Sequence, residues 1–98
     1  MGVISLVATM KIAEGKNDAF ETAFKDLQAQ VRANEEGCLQ YDLTRSKSDP
    51  LTYLIIEKYA DAAALDAHGK TDYFKAAGAA LGAALAGAPK LEILDFVN

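Results

Sequence analysis

Proton transfer at neutral pH needs a group whose ordinary pKa lies near neutrality, and this chain holds one imidazole, His68. It stands in the run Ala62-Ala63-Ala64-Leu65-Asp66-Ala67-His68-Gly69. On a helix it shares the apolar face of Ala64 and Leu65, and that face should point inward. Two roles fit such a position: a structural imidazole bonded to a backbone carbonyl, or a base in a pocket. Glu57 is the second candidate, a carboxylate inside the apolar run Thr52–Tyr59 and on the same face as Tyr59. It either bonds a pocket group and orients His68, or lies solvated at an edge. Tyr41, Tyr53, Tyr59, Tyr73 and Phe74 could wall an aromatic ligand or simply fill core. Tyr73 and Phe74 are adjacent, so only one can face fully inward. Asn34, at a helix end, is a further candidate contact; its alternative role is a left-handed C-cap.

The chemistry available elsewhere is narrow. Cys38 is the only cysteine and directly follows Gly37, which reads as a small half-buried residue rather than a nucleophile. It excludes an intrachain disulfide and points to a reducing, cytoplasmic setting. One histidine and one cysteine are too few for a transition-metal site. There is no Gly-rich phosphate loop after a strand, nucleophile elbow or flavin fingerprint. Net charge is −4, with lysines and arginines scattered, so neither nucleic acid nor an anionic membrane is an expected partner. No basic region precedes the apolar Val3–Val7, so a secretion signal is not expected, and no apolar run is long enough to span a bilayer.

The elements that must position these groups follow from periodicity, and the whole chain, residues 1–98, reads as one domain. Residues 3–12 alternate as a strand, with Ile4, Leu6, Ala8, Met10 and Ile12 on one face. Asn17 is a candidate N-cap, and Phe20, Phe24, Leu27 and Val31 form one helical stripe ending near Asn34. Glu35-Glu36-Gly37 breaks that helix. Residues 39–45 alternate, with Leu39, Tyr41 and Leu43 on one face. A hairpin loop at 46–50 leads to a strand at 52–59. Asp61 caps a short helix ended by Gly69, and Thr71 caps another with the stripe Phe74, Ala77, Leu81 and Leu85, stopped by Pro89. Residues 90–97 form the last strand. The order β-α-β-β-α-β, its second helix broken in two, predicts a ferredoxin-like α+β sandwich: a four-stranded antiparallel sheet with helices on one face. Gly78 and Gly82 then read as small residues that let their helix lie close on the sheet.

Helices cover one side of such a sheet, yet both sets of alternating positions are apolar. Val3 and Val7 oppose the main set of the first strand, Tyr53 and Ile55 oppose Leu54 and Ile56, and Leu91 and Ile93 oppose Leu94 and Phe96. A sheet apolar on both faces needs a second cover. A second copy across a two-fold axis is the simplest, so a homodimer through the helix-free face is expected.

The stretch Glu36-Gly37-Cys38-Leu39-Gln40-Tyr41-Asp42, followed by Arg45, Asp49-Pro50, Glu57-Lys58-Tyr59, Asp61–Leu65, His68 and Tyr73-Phe74, resembles the antibiotic biosynthesis monooxygenase family, most of all its quinol monooxygenase branch. Gly15-Lys16 and Phe20 also fit, and the resemblance covers nearly the whole chain. It implies a ferredoxin-like homodimer of the dimeric α/β-barrel type. It further implies a monooxygenase that needs no metal, flavin or haem and oxidises a phenol or hydroquinone with dioxygen. His68 matches the family's recurrent helix histidine, in the base or proton-shuttle role, and Glu57 matches a recurrent strand glutamate. This chain departs from many members in reading Thr71-Asp72-Tyr73-Phe74 where they carry a further histidine, and Tyr59 where Trp is frequent. Haem-degrading relatives rely on an Asn-Trp-His set. This chain has no Trp, and Gly78 lies at the later histidine position. An isomerase of phosphorylated autoinducer-2 has a similar pattern around Tyr59–His68, and there Arg45, Lys70 or Lys75 would anchor phosphate. A dimer that binds a small apolar ligand without changing it is the non-catalytic alternative.

Overall fold

A computed structural model describes residues 2–98. The elements run β1 (Ile4–Lys11), α1 (Asn17–Asn34), β2 (Cys38–Arg45), β3 (Thr52–Tyr59), α2 (Ala62–Gly69), α3 (Asp72–Ala83) and β4 (Lys90–Asp95). The strands form one antiparallel sheet in the order β2-β3-β1-β4, the ferredoxin-like arrangement. Leu6, Ala8 and Met10 stand opposite Glu57, Ile55 and Tyr53, and these side chains make the sheet's side of the core. The helical side is the α1 stripe, Phe20, Phe24, Leu27 and Val31, each at most 2% exposed. Phe20 packs on Tyr53 at 5.0 Å and Phe24 stacks on Tyr41 at 5.2 Å between ring centroids.

Several boundaries differ from the periodic reading, each for a local reason. Lys16, not Asn17, occupies the N-cap position of α1, because Asn17 turns its amide toward the Pro50 carbonyl and the Tyr53 hydroxyl. Asn34 is not a left-handed cap. No described non-glycine residue has positive φ, and the Asn34 amide donates back to the Gln30 carbonyl at 2.9 Å. Leu39 does not face the core. The β2–β3 register slips between Cys38 and Gln40, a β-bulge that leaves Leu39 54% exposed while Tyr41 and Leu43 keep the inner face. Helix α3 stops at Ala83, short of Leu85, which instead bridges Ile12 beyond the end of β1. Strand β4 ends at Asp95.

Two joints hold the region around residue 68. Gly37 sits where a Cβ would come within 2.6 Å of the Ala64 Cβ, so any side chain there would push α2 away. Its carbonyl accepts from Ala60 N at 2.8 Å. Thr71 joins the two short helices: its hydroxyl donates to the His68 carbonyl at 2.9 Å and accepts from Phe74 N at 3.2 Å, capping α3. Asp61 caps α2 through Ala64 N at 2.9 Å.

Candidate functional site

His68 lies in the last turn of α2, 4% exposed, and its ring is enclosed by three aromatic rings. Centroid separations are 4.8 Å to Phe74, 5.1 Å to Tyr41 and 5.5 Å to Tyr59. Its polar partner is Glu35, with Nδ1 at 3.0 and 3.2 Å from the two carboxylate oxygens. Glu35 also accepts from the Tyr73 hydroxyl. A carboxylate on Nδ1 assigns the N–H to that nitrogen in the neutral ring, which leaves the Nε2 lone pair free. Nε2 has no hydrogen-bond partner among the described residues. Among the described residues, no side-chain nitrogen or oxygen is both sealed from solvent and unpartnered, so Nε2 opens onto free space.

That space is a cavity of about 340 Å³ between the sheet and the two short helices. Its floor is Leu6, Ala8, Met10, Ile55 and Tyr41, and its roof comes from Leu65, Phe74 and Leu81. Polarity is confined to His68, Glu57 and the Tyr41 hydroxyl, and no lysine or arginine borders it. A wider groove of about 650 Å³ runs between α1 and α3, but it is open, with solvent-exposed Asp18 and Asp26 on its rim. The His68 cavity is smaller and better enclosed, and it alone brings a base, a carboxyl and aromatic walls together.

Glu57 is 7% exposed and accepts from the Tyr59 hydroxyl at 2.6 Å. Burial, with a smaller contribution from the Glu35 charge, pushes its carboxyl up to about 7, although the Tyr59 bond pulls the other way. Glu57 therefore exchanges a proton near neutrality at the cavity wall. It does not orient His68; that contact belongs to Glu35. Burial, and then the charge of Glu57, push the Tyr41 and Tyr59 phenols upward, so both stay protonated, and the Tyr59 hydroxyl donates to Glu57. Burial and Glu35 push the Cys38 thiol up to about 11, which fits a packing role.

The remaining sequence candidates lie elsewhere. Tyr41 and Phe74 border the cavity, and Tyr59 stands behind Glu57. Tyr53 is sealed at the other end of the core, its hydroxyl on Glu21 and Asn17. Tyr73 turns outward to Glu35, and Asn34 is exposed; both border an outer groove rather than the cavity. Of the cationic candidates, Arg45 faces Glu21 at 3.7 Å, Lys70 pairs with Asp66 at 2.8 Å, and Lys75 is exposed. Glu35 was hidden in the sequence because Glu35-Glu36-Gly37 reads as a helix stop. The signal was present: Phe20, Phe24, Leu27 and Val31 continue by one more step of four to residue 35, so a carboxylate sits at the next inward position.

The family model described as antibiotic biosynthesis monooxygenase matches residues 3–80. The protein named "Putative monooxygenase YcnE" from Bacillus subtilis (strain 168) is 34% identical over 73 residues, covering 74% of this chain and 76% of that protein. A crystal structure from Caulobacter crescentus CB15, described as a putative antibiotic biosynthesis monooxygenase, is 55% identical. It covers 99% of this chain and 92% of that one, with a TM-score of 0.96. A Pseudomonas aeruginosa structure, 33% identical over 100% of this chain and 97% of its own, has a TM-score of 0.87.

Proposed function

This chain belongs to the antibiotic biosynthesis monooxygenase family, and from that premise we propose that the cavity oxidises a phenolic or quinol-like aromatic with dioxygen, using its own side chains as the only catalytic groups. The observation that carries this reading is His68 Nε2, unpartnered and facing an apolar, aromatic-walled hollow. His68 takes the phenolic proton through Nε2, while Glu35 on Nδ1 holds the ring and steadies the imidazolium. The phenolate passes one electron to dioxygen, the radical pair joins as a peroxide anion on a ring carbon that bears hydrogen, and the imidazolium of His68 returns its proton to make the hydroperoxide. His68, neutral again, takes that carbon's hydrogen as a proton while the O–O bond breaks, and gives it to the departing hydroxide, which leaves as water beside a ring carbonyl. One oxygen atom stays in the product and the other leaves as water. Glu57, titrating near neutrality, receives or returns the proton of a second ring hydroxyl. A wall without lysine or arginine suits an uncharged ring better than a phosphorylated sugar.

Oxygen uptake over a panel of hydroquinones tests the reading, with autoxidation measured in parallel. The wild type is expected to exceed autoxidation, and His68→Ala to lose about 10²- to 10⁴-fold. Glu35→Gln is expected to lower kcat more than it raises KM. A panel with no enzyme-dependent uptake sinks the reading, and turnover that persists without oxygen points to an isomerase instead.

The same reading gives the chain a partner, a second copy on the helix-free face. Support comes from apolar surface left there: Leu94 and Phe96 are 39% and 42% exposed, beside half-buried Val7, Leu54 and Ile56. Lys58 lies 4.3 Å over the Phe96 ring on that face. Light scattering at micromolar concentration is expected to return twice the chain mass, and a monomer would contradict the pairing. The lone half-buried Cys38 thiol fits a reducing cytoplasm.

A further inference from the structure

Gly78 and Gly82 do not have the packing role that their spacing implies. A Cβ built on either meets no heavy atom within 4 Å, so neither glycine is there to let α3 lie close on the sheet. Alanine favours a helix over glycine, and α3 otherwise uses alanine freely, at 76, 77, 79, 80 and 83. Of these seven small residues, the two glycines are the ones that border the His68 cavity. With Phe74 they form a row at steps of four along one face of α3.

Across from that row lies β4. Leu91 and Ile93 stand opposite Ala8 and Leu6, hence on the helix side of the sheet, yet they are 61% and 63% exposed. Helix α3 packs mainly against α1 and leaves this strand bare. Leu91 borders the same cavity as the glycines. The hollow thus has an apolar slot on its β4 side, and the ring of His68, 4% exposed, borders the same hollow.

We infer that this slot between α3 and β4 is the mouth through which a flat apolar aromatic reaches His68, and that Gly78 and Gly82 set how wide a ring system it admits. The inference rests on the reading of the cavity as an aromatic-ligand site. Two methyl groups would stand in the mouth of a double Ala variant. They would obstruct a fused bicyclic ring more than a single ring.

Binding tests this apart from catalysis. The chain has one histidine, so the His68 ring protons give one unambiguous set of NMR signals. Phenol and 2-naphthol are titrated anaerobically into wild type, Gly78→Ala, Gly82→Ala and the compensated Gly82→Ala/Ala79→Gly, in which α3 keeps its original glycine content. The expected result is a loss of at least about tenfold in 2-naphthol affinity in all three variants, with phenol changed by less than about threefold. The single variants should also melt higher, by up to about 4–8 °C. Persistence of the 2-naphthol loss in the compensated variant makes space the cause. Equal binding of both probes by the variants, or a loss that vanishes on compensation, overturns the mouth while leaving the aromatic site standing. A wild type that binds neither probe overturns both.

Discussion

Strand β3 carries two buried tyrosines, Tyr53 and Tyr59, each with its hydroxyl on a glutamate, and the two ends of the core they occupy could hardly differ more. At the Tyr53 end, Phe20 of α1 fills the layer, and Glu21 keeps a third of its side chain in solvent beside Arg45. At the Tyr59 end the covering helices are short and built of alanine and glycine. The layer is hollow there, and Glu57 is buried with no cation beside it. The same residue pair is a rivet at one end and a proton-exchanging group at the other. The covering side chains, not the pair, make the difference: large rings exclude a cavity, small ones leave it, and a carboxyl without solvent or counter-ion is pushed toward neutrality.

The contrast can be broken in graded ways. Phe20→Ala at the filled end is expected to cost about 3–5 kcal/mol by urea denaturation, whereas Phe74→Ala, which already faces open space, should cost no more than about half of that. Equal costs would erase the distinction between filled and hollow ends. The second effect is pH-dependent. Folded Glu57 titrates at about 7 against an unfolded value near 4.5. Between those values the folded chain holds a proton the unfolded chain has released. Its contribution is therefore complete below about pH 4.5 and is lost as pH rises through 7, by up to about 3 kcal/mol. Glu57→Gln should flatten that fall, giving a variant more stable than wild type near pH 8 and closer to it near pH 4.5. A constant difference at both pH values would place Glu57 in contact with water. Smaller still, Tyr59→Phe should cost about 1–3 kcal/mol because it strands a buried carboxyl. Tyr53→Phe should cost only about 0.5 kcal/mol, since water and Arg45 remain within reach of Glu21. Thermal melts of the two variants side by side decide this, and the reverse order would refute it.

Most of the scaffold was legible because it rests on period: the stripe through Phe20, Phe24, Leu27 and Val31, the alternation in β1 and β3, and the helix break at Gly69–Thr71 are local patterns. What escaped was set by tertiary contact. Asn17 has a capping side chain but spends it on the β2–β3 loop and Tyr53. Leu39 alternates correctly and is still thrown outward by a register slip that only pairing with β3 reveals. At the site, His68 and Glu57 stood out as polar groups in apolar runs, and Tyr41 and Phe74 as rings nearby. The aromatic list could not be sorted further, because which end of the layer a ring occupies depends on what lies over it. Glu35 meets His68 across 33 positions, a pairing no short-range pattern carries.

Gly37 has no side chain, yet it fixes how near α2 stands to the chain segment holding Glu35. In a deep mutational scan scored by turnover, position 37 would rank with the catalytic groups, and in one scored only by expression level it would look like an ordinary structural glycine. Reading both screens together would separate distance from chemistry at an address that donates no atom to either.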